Sequence, residues 1–200
     1  MLLLSIALLG TPSSAAAFQP SLADDWWRPT PPPTNVQPTS TTPTRIFGVG
    51  DSVMLGASGE LTQAIPGIEI DAVVGRQAST GIDILRARAA QGDIPDVVIF
   101  GLGTNGPLTR GKLDEAMDAL AGVRRVVFVN NSMPRSWELP NNALLADAVK
   151  RYPNAVLADW YALTTAVPRL LTDDDIHLRA SGARAYAALV APIALAPIPA

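Results

Sequence analysis

Residues 45–64 read "RIFGVGDSVMLGASGELTQA". The apolar, β-branched run Arg45–Val49 predicts a buried strand, and Val53 to Ala64 carries apolar residues at helical spacing. Between them Gly50, Asp51 and Ser52 form a strand-to-helix corner. Gly50 and Asp51 suit a tight turn, and Ser52 either caps the following helix or is a nucleophile presented at the corner. The local stretch leaves both open.

The same strand-then-helix unit recurs downstream. "IEIDAVV" (68–74), "DVVIFGL" (96–102), "RVVFVN" (125–130) and "AVLADW" (155–160) are further strand candidates. Helical spacing marks Thr80–Gln91, Lys112–Ala121, Asn142–Tyr152 and a last helix from Ser181 to Ala191, which Pro192 is expected to end. Strict alternation implies a parallel sheet covered on both faces: a three-layer α/β/α sandwich with five parallel strands, flavodoxin-like. In such sheets the working groups lie in loops beyond the carboxyl ends of the strands. Those loops here carry Gly50-Asp51-Ser52, Gly75-Arg76-Gln77, "GLGTNGP" with Asn105, "NNSMPRSWELP", and Asp159-Trp160-Tyr161.

Composition narrows the chemistry. The chain has 200 residues, 48% of them hydrophobic, enough for one well-packed domain. A net charge of −3 argues against a nucleic-acid partner. With no cysteine and one histidine, thiolate and multi-imidazole metal sites are excluded, and no metal or cofactor is expected. Any histidine-dependent acid–base chemistry falls to His177.

Ahead of the globular pattern, residues 1–20 hold a short apolar run followed by Ala15-Ala16-Ala17. They are read as a signal peptide or the remnant of a membrane helix. Residues 21–44 form a Pro/Thr-rich linker that cannot build a core and reads as an extended spacer. Residues 45–200 are the expected globular domain, outside the cytoplasm, secreted or tethered through its N-terminal segment; the motifs below make it the expected catalytic domain.

The segment "LTDDDIHLRASG" (171–182) sets Asp174 three residues before His177. One turn then holds a carboxylate and an imidazole together, as a serine nucleophile requires of its base and orienting acid. The bland reading is an acidic loop whose histidine caps the last helix. Asp173 and Asp175 compete with Asp174 for the partner's place.

Gly50-Asp51-Ser52, Gly75, Gly103-Thr104-Asn105 and Asp174-x-x-His177 together resemble the four blocks of the SGNH (GDSL-like) hydrolases, over about residues 45–191. "GVGDSVMLGA", "VVGRQ", "GLGTNG", "MPRSWE" and "DDIHLRASGARAYA" are similar, more narrowly, to the extracytoplasmic domain of bacterial cell-wall O-acetyltransferases. The resemblance implies Ser52 as nucleophile, His177 as base and acid, and Asp174 as the orienting carboxylate. It also implies an oxyanion hole from the Ser52 and Gly75 N–H groups and the Asn105 amide. Family spacing favours Asp174 over its two neighbours.

The partners implied are an acyl ester donor and a glycan or water acceptor, with a membrane acyltransferase as a further one. Those relatives join a multi-span acyltransferase part to such a domain. Its absence from this sequence leaves a stand-alone exported relative or a piece of a longer protein. Arg76, Gln77, Arg135 and Trp137 are candidate acceptor contacts, with loop packing as the alternative. A monomer is expected. A stand-alone carbohydrate acetylesterase or lipase-like esterase and a non-catalytic wall-binding module are the alternative functions. The intact Ser, His and Asp argue against the module.

Overall fold

The computed structural model describes residues 44–198, so the expected leader and nearly all of the linker lie outside the described residues. The elements are β1 Ile46–Gly50, α1 Ser52–Ala64, β2 Glu69–Ala72, α2 Ala78–Ala90, β3 Val97–Gly101, α3 Arg110–Ala119, β4 Arg125–Val129, α4 Glu138–Arg151, β5 Ala155–Ala158, α5 Trp160–Ala166 and α6 Ala180–Leu195. The five strands form one sheet in the order β2-β1-β3-β4-β5, and each neighbouring pair is parallel.

The pleat divides the core in two. Val97 and Ile99 of β3 join Met54, Leu61, Trp160, Tyr186 and Val190 in one apolar cluster. Val98 and Phe100 join Ile82, Leu113 and Leu145 in the other. Helices α1, α5 and α6 therefore cover one face and α2, α3 and α4 the other, giving the three layers that the alternation predicts. Phe100 and Phe128 meet edge to face, with ring centroids 5.4 Å apart.

Gly50 and Gly101 explain how α1 seats so close to the strands. A Cβ on Gly50 would stand 2.4 Å from the Met54 Cβ, and one on Gly101 would stand 2.7 Å from the Met54 Cε. Two strand ends without side chains thus admit the first turn of α1, and Ser52 with it. The sheet order reverses between β1 and β3, the point at which open α/β sheets place their working groups.

Most boundaries lie within two residues of the sequence reading, and the departures with an identifiable cause are at β5, α4 and α6. The last strand stops at Ala158 instead of running through Trp160, because the Asp159 carboxylate accepts from the Ala162 N–H at 3.0 Å and starts α5. Helix α4 begins at Glu138, four residues early, with Pro140 in the first turn where a missing N–H breaks no bond. Helix α6 continues past Pro192 to Leu195. The Arg125 guanidinium donates to the carbonyls of Ile193, Ala196 and Pro197, at 3.2, 2.6 and 2.8 Å, and so anchors this last turn.

Gly182, early in α6, locks the loop before it. A Cβ there would lie 2.1 Å from the Leu170 carbonyl oxygen, which already accepts from the Arg179 N–H at 3.0 Å. The carbonyl cannot retreat without losing that bond. Gly182→Ala is expected to lower stability by about 2 kcal/mol, read as a shift in denaturant midpoint at constant slope.

Candidate active site

Ser52 is the first residue of α1. The Asp51 carboxylate ahead of it caps the helix by accepting from the Val53 N–H at 3.0 Å. Residues 171–178, between α5 and α6, fold into a closed turn. Leu171 bridges Leu178, the Thr172 N–H donates to the His177 carbonyl at 2.8 Å, and Asp175 takes φ 57° at its apex. Asp tolerates this left-handed conformation better than most residues. The turn brings His177 over the N-terminus of α1, with its Nε2 3.1 Å from the Ser52 Oγ. His177 Nδ1 lies 2.6 Å from Asp174 Oδ2.

The other Asp174 oxygen, Oδ1, accepts from Thr172 Oγ1–H at 2.6 Å, His177 N–H at 2.9 Å and Ile176 N–H at 3.0 Å. The Thr172 hydroxyl, then the His177 ring and the two backbone N–H groups hold the carboxyl well below its ordinary range. An ionised carboxylate only accepts, so Nδ1 carries the imidazole proton and Nε2 faces Ser52 as an acceptor. Asp173 instead pairs with Arg179 at 2.5 Å, and Asp175 serves the turn.

Gly75 has φ 73°, a left-handed angle that glycine takes without strain, and is exposed with open space where a Cβ would stand. No hydrogen bond from the Ser52 or Gly75 N–H is found among the described residues. Asn105 Nδ2 donates to the Arg76 carbonyl at 3.3 Å, which leaves its second amide hydrogen for another acceptor.

The four candidate contacts fare differently. The Arg76 side chain is only 7% exposed and pairs with Asp71 at 2.6 Å, while Gln77 Nε2 donates to the Asn105 carbonyl at 2.7 Å. Both hold the loops in place. Trp137 is half-buried and donates from Nε1 to the Thr104 carbonyl at 3.3 Å. Arg135 is exposed, and its guanidinium bonds the neighbouring Pro134 carbonyl.

Sequence reasoning missed Asn141, which is fully buried on α4. Its Oδ1 accepts from the Leu108 N–H at 2.7 Å, and its Nδ2 donates to the carbonyls of Gly103 and Gly106, each at 3.0 Å. One side chain thus holds the loop that carries Asn105. The available signal was an amide in register with Leu145 and Ala148 on the inner face of a helix. Asn141→Ala strands these buried groups, each at a cost of about 1–3 kcal/mol. A clear fall in melting temperature is the expected outcome.

A serine, an imidazole and a carboxylate in sequence at the switch point of a 2-1-3-4-5 sheet lead to a comparison with known folds. The C-terminal catalytic domain of Streptococcus pneumoniae peptidoglycan O-acetyltransferase A superposes with a TM-score of 0.67. The match is 23% identical and covers 76% of this chain and 92% of that one. A candidate SGNH hydrolase from Slackia heliotrinireducens superposes at 0.60, with 20% identity over 75% of this chain and 98% of that one.

In sequence, the peptidoglycan O-acetyltransferase OatA of Listeria monocytogenes is 34% identical over 162 residues, 79% of this chain and 26% of that protein. The chain shares the fold of the SGNH hydrolases. The O-acetyltransferase OatA of Staphylococcus aureus is 33% identical over 146 residues, 71% of this chain and 24% of the relative. The chain spans about a quarter of the length of the curated relatives it matches. No family model matches it. Among the described residues of the SGNH fold, no helix is long and apolar enough to cross a membrane.

Proposed function

We propose that the chain is a serine-dependent acyl-ester hydrolase or O-acetyltransferase acting on cell-wall glycan through an acyl-Ser52 intermediate. The observation that carries this reading is the unbroken relay Asp174 Oδ2, His177 Nδ1, His177 Nε2, Ser52 Oγ, with steps of 2.6 and 3.1 Å. His177 Nε2 takes the hydroxyl proton as Oγ attacks the donor carbonyl, and Asp174 stabilises the imidazolium. The oxyanion is received by the N–H groups of Ser52 and Gly75 and by the Asn105 amide. The imidazolium then protonates the leaving oxygen. His177 next deprotonates the acceptor, and collapse of the second oxyanion frees Ser52.

A sugar hydroxyl as acceptor gives transfer; water gives hydrolysis. The His177 and Asp174 side chains are 49% and 46% exposed, so water reaches the acyl-serine when no glycan covers it. That exposure favours the esterase reading whenever glycan is absent. The domain works outside the cytoplasm, where its acetyl donor comes from a membrane acyltransferase, and its longer relatives named as O-acetyltransferases support this placement.

The test gives the full chain an acetyl donor with and without peptidoglycan fragments and measures acetylated glycan against free acetate by mass spectrometry. Ester on the glycan supports transfer, and acetate alone in both arms limits the protein to hydrolysis. Asn105→Ala should lower kcat on p-nitrophenyl acetate about 10²–10³-fold, the usual effect of losing one oxyanion donor. A variant with unchanged kcat removes Asn105 from the hole.

A further inference from the structure

Behind the nucleophile corner lies a cavity of about 10 Å³, whose lining includes Asp51, Thr104, Asn131, Trp160 and Tyr186. Two polar atoms on residues of this lining, Asn131 Oδ1 and Trp160 Nε1, are buried and have no hydrogen-bond partner among the described residues. Asp51 beside them is 1% exposed. Its Oδ1 accepts from the Val53 N–H at 3.0 Å and its Oδ2 from the Thr104 N–H at 3.3 Å. The two oxygens therefore tie the Ser52 corner to the residue next to Asn105. The Thr104 hydroxyl also acts on this carboxylate, and about four lone-pair sites still leave it acceptor capacity.

The unmet groups are complementary to one small molecule. An indole N–H needs an acceptor, whereas the Asn131 oxygen and the carboxylate need donors. Water offers both in a single oxygen, the volume is close to the about 10–15 Å³ that one water requires, and three polar partners are typical of a buried one.

Resting on the acyl-transfer reading, we infer that Asp51 is a positioning residue that sets the Asn105 donor against Ser52. A water held between Asp51, Asn131 Oδ1 and Trp160 Nε1 completes this brace. The water accepts from the indole and donates to the other two. Asp51 touches no substrate and acts through the Thr104 and Val53 N–H groups. Burial raises its carboxyl above the ordinary range, against the lowering pull of those donors. A water donating to it favours the ionised form that the brace needs.

The experiment uses the full chain and begins without substrate. Wild type should show an NMR cross-peak between the Trp160 indole N–H and a long-lived water. Asp51→Asn puts an amide where one accepting oxygen stood, so Thr104 N–H exchange should accelerate about tenfold or more. On p-nitrophenyl acetate the variant's kcat should fall about 10–100-fold with KM within about twofold, the mark of donors that act only in the transition state.

A missing water cross-peak in wild type overturns the inference without any variant. Unchanged Thr104 exchange overturns the brace, and a loss confined to KM overturns its catalytic role. If wild type shows the water signal yet turns over no ester, the functional reading fails and the catalytic half of the inference fails with it.

Discussion

Ser52→Ala stops hydrolysis of p-nitrophenyl acetate, with kcat expected to fall about 10⁴-fold or more. The size follows from the relay: once Oγ is gone, neither the imidazole nor the carboxylate has a nucleophile to activate, and only binding and oxyanion donors remain. Fold should be untouched, because the helix cap at this corner is the Asp51 side chain and the serine hydroxyl bonds His177. Unchanged circular dichroism and melting temperature, measured on the same sample, separate lost chemistry from lost structure. An alanine variant that kept more than a tenth of the activity would remove Ser52 from its role.

Asp174→Asn is expected to be nearly as damaging, with kcat lower by about 10²–10⁴-fold. An amide in that place donates to Nδ1, so the ring carries its proton on Nε2 and presents a donor to Ser52. Near half-exposure of both side chains argues for the lower end of that range, since water re-solvates the ring. The pH behaviour follows from the same bonds. Asp174 is held well below its ordinary range, so it stays ionised throughout the weakly acidic and neutral range. Asp174 should therefore add no limb of its own to the wild-type rate profile near neutral pH. Because the folded carboxyl is depressed, its contribution to stability is full above the unfolded value of about 3.9 and is lost only as pH falls towards the folded one. An acidic step in the rate profile above that value that persists in Asp51→Asn would contradict the Asp174 assignment.

Much of this was legible in the chain. Periodicity predicts all five strands, since β1 and β3 are buried throughout and consist of near-continuous apolar runs. It failed where one polar contact outweighs pattern: Asp159 caps a helix inside an apolar stretch, and Arg125 anchors a turn beyond Pro192. Ser52, Asp174 and His177 were visible because each sits in a short motif after a strand or before a helix. The supporting side chains were not. Asn141 and Asp51 act through loop carbonyls and N–H groups distant in sequence, as does Asn131, whose Nδ2 donates to the Leu102 carbonyl at 3.2 Å, and no local spacing announces such partners. Arg76 drew notice as a charged residue on the rim, whereas its guanidinium turns inward to Asp71 and the Gly50 carbonyl.

The most direct test of the central claim is to catch the intermediate. The full chain is mixed with excess p-nitrophenyl acetate, quenched in acid within the first turnover, digested and analysed by tandem mass spectrometry. One acetyl group on the Ser52 hydroxyl, absent from the Ser52→Ala variant, is the predicted result. Rapid turnover with Ser52 unmodified, or acetyl on another side chain that forms as fast as product, would contradict the account.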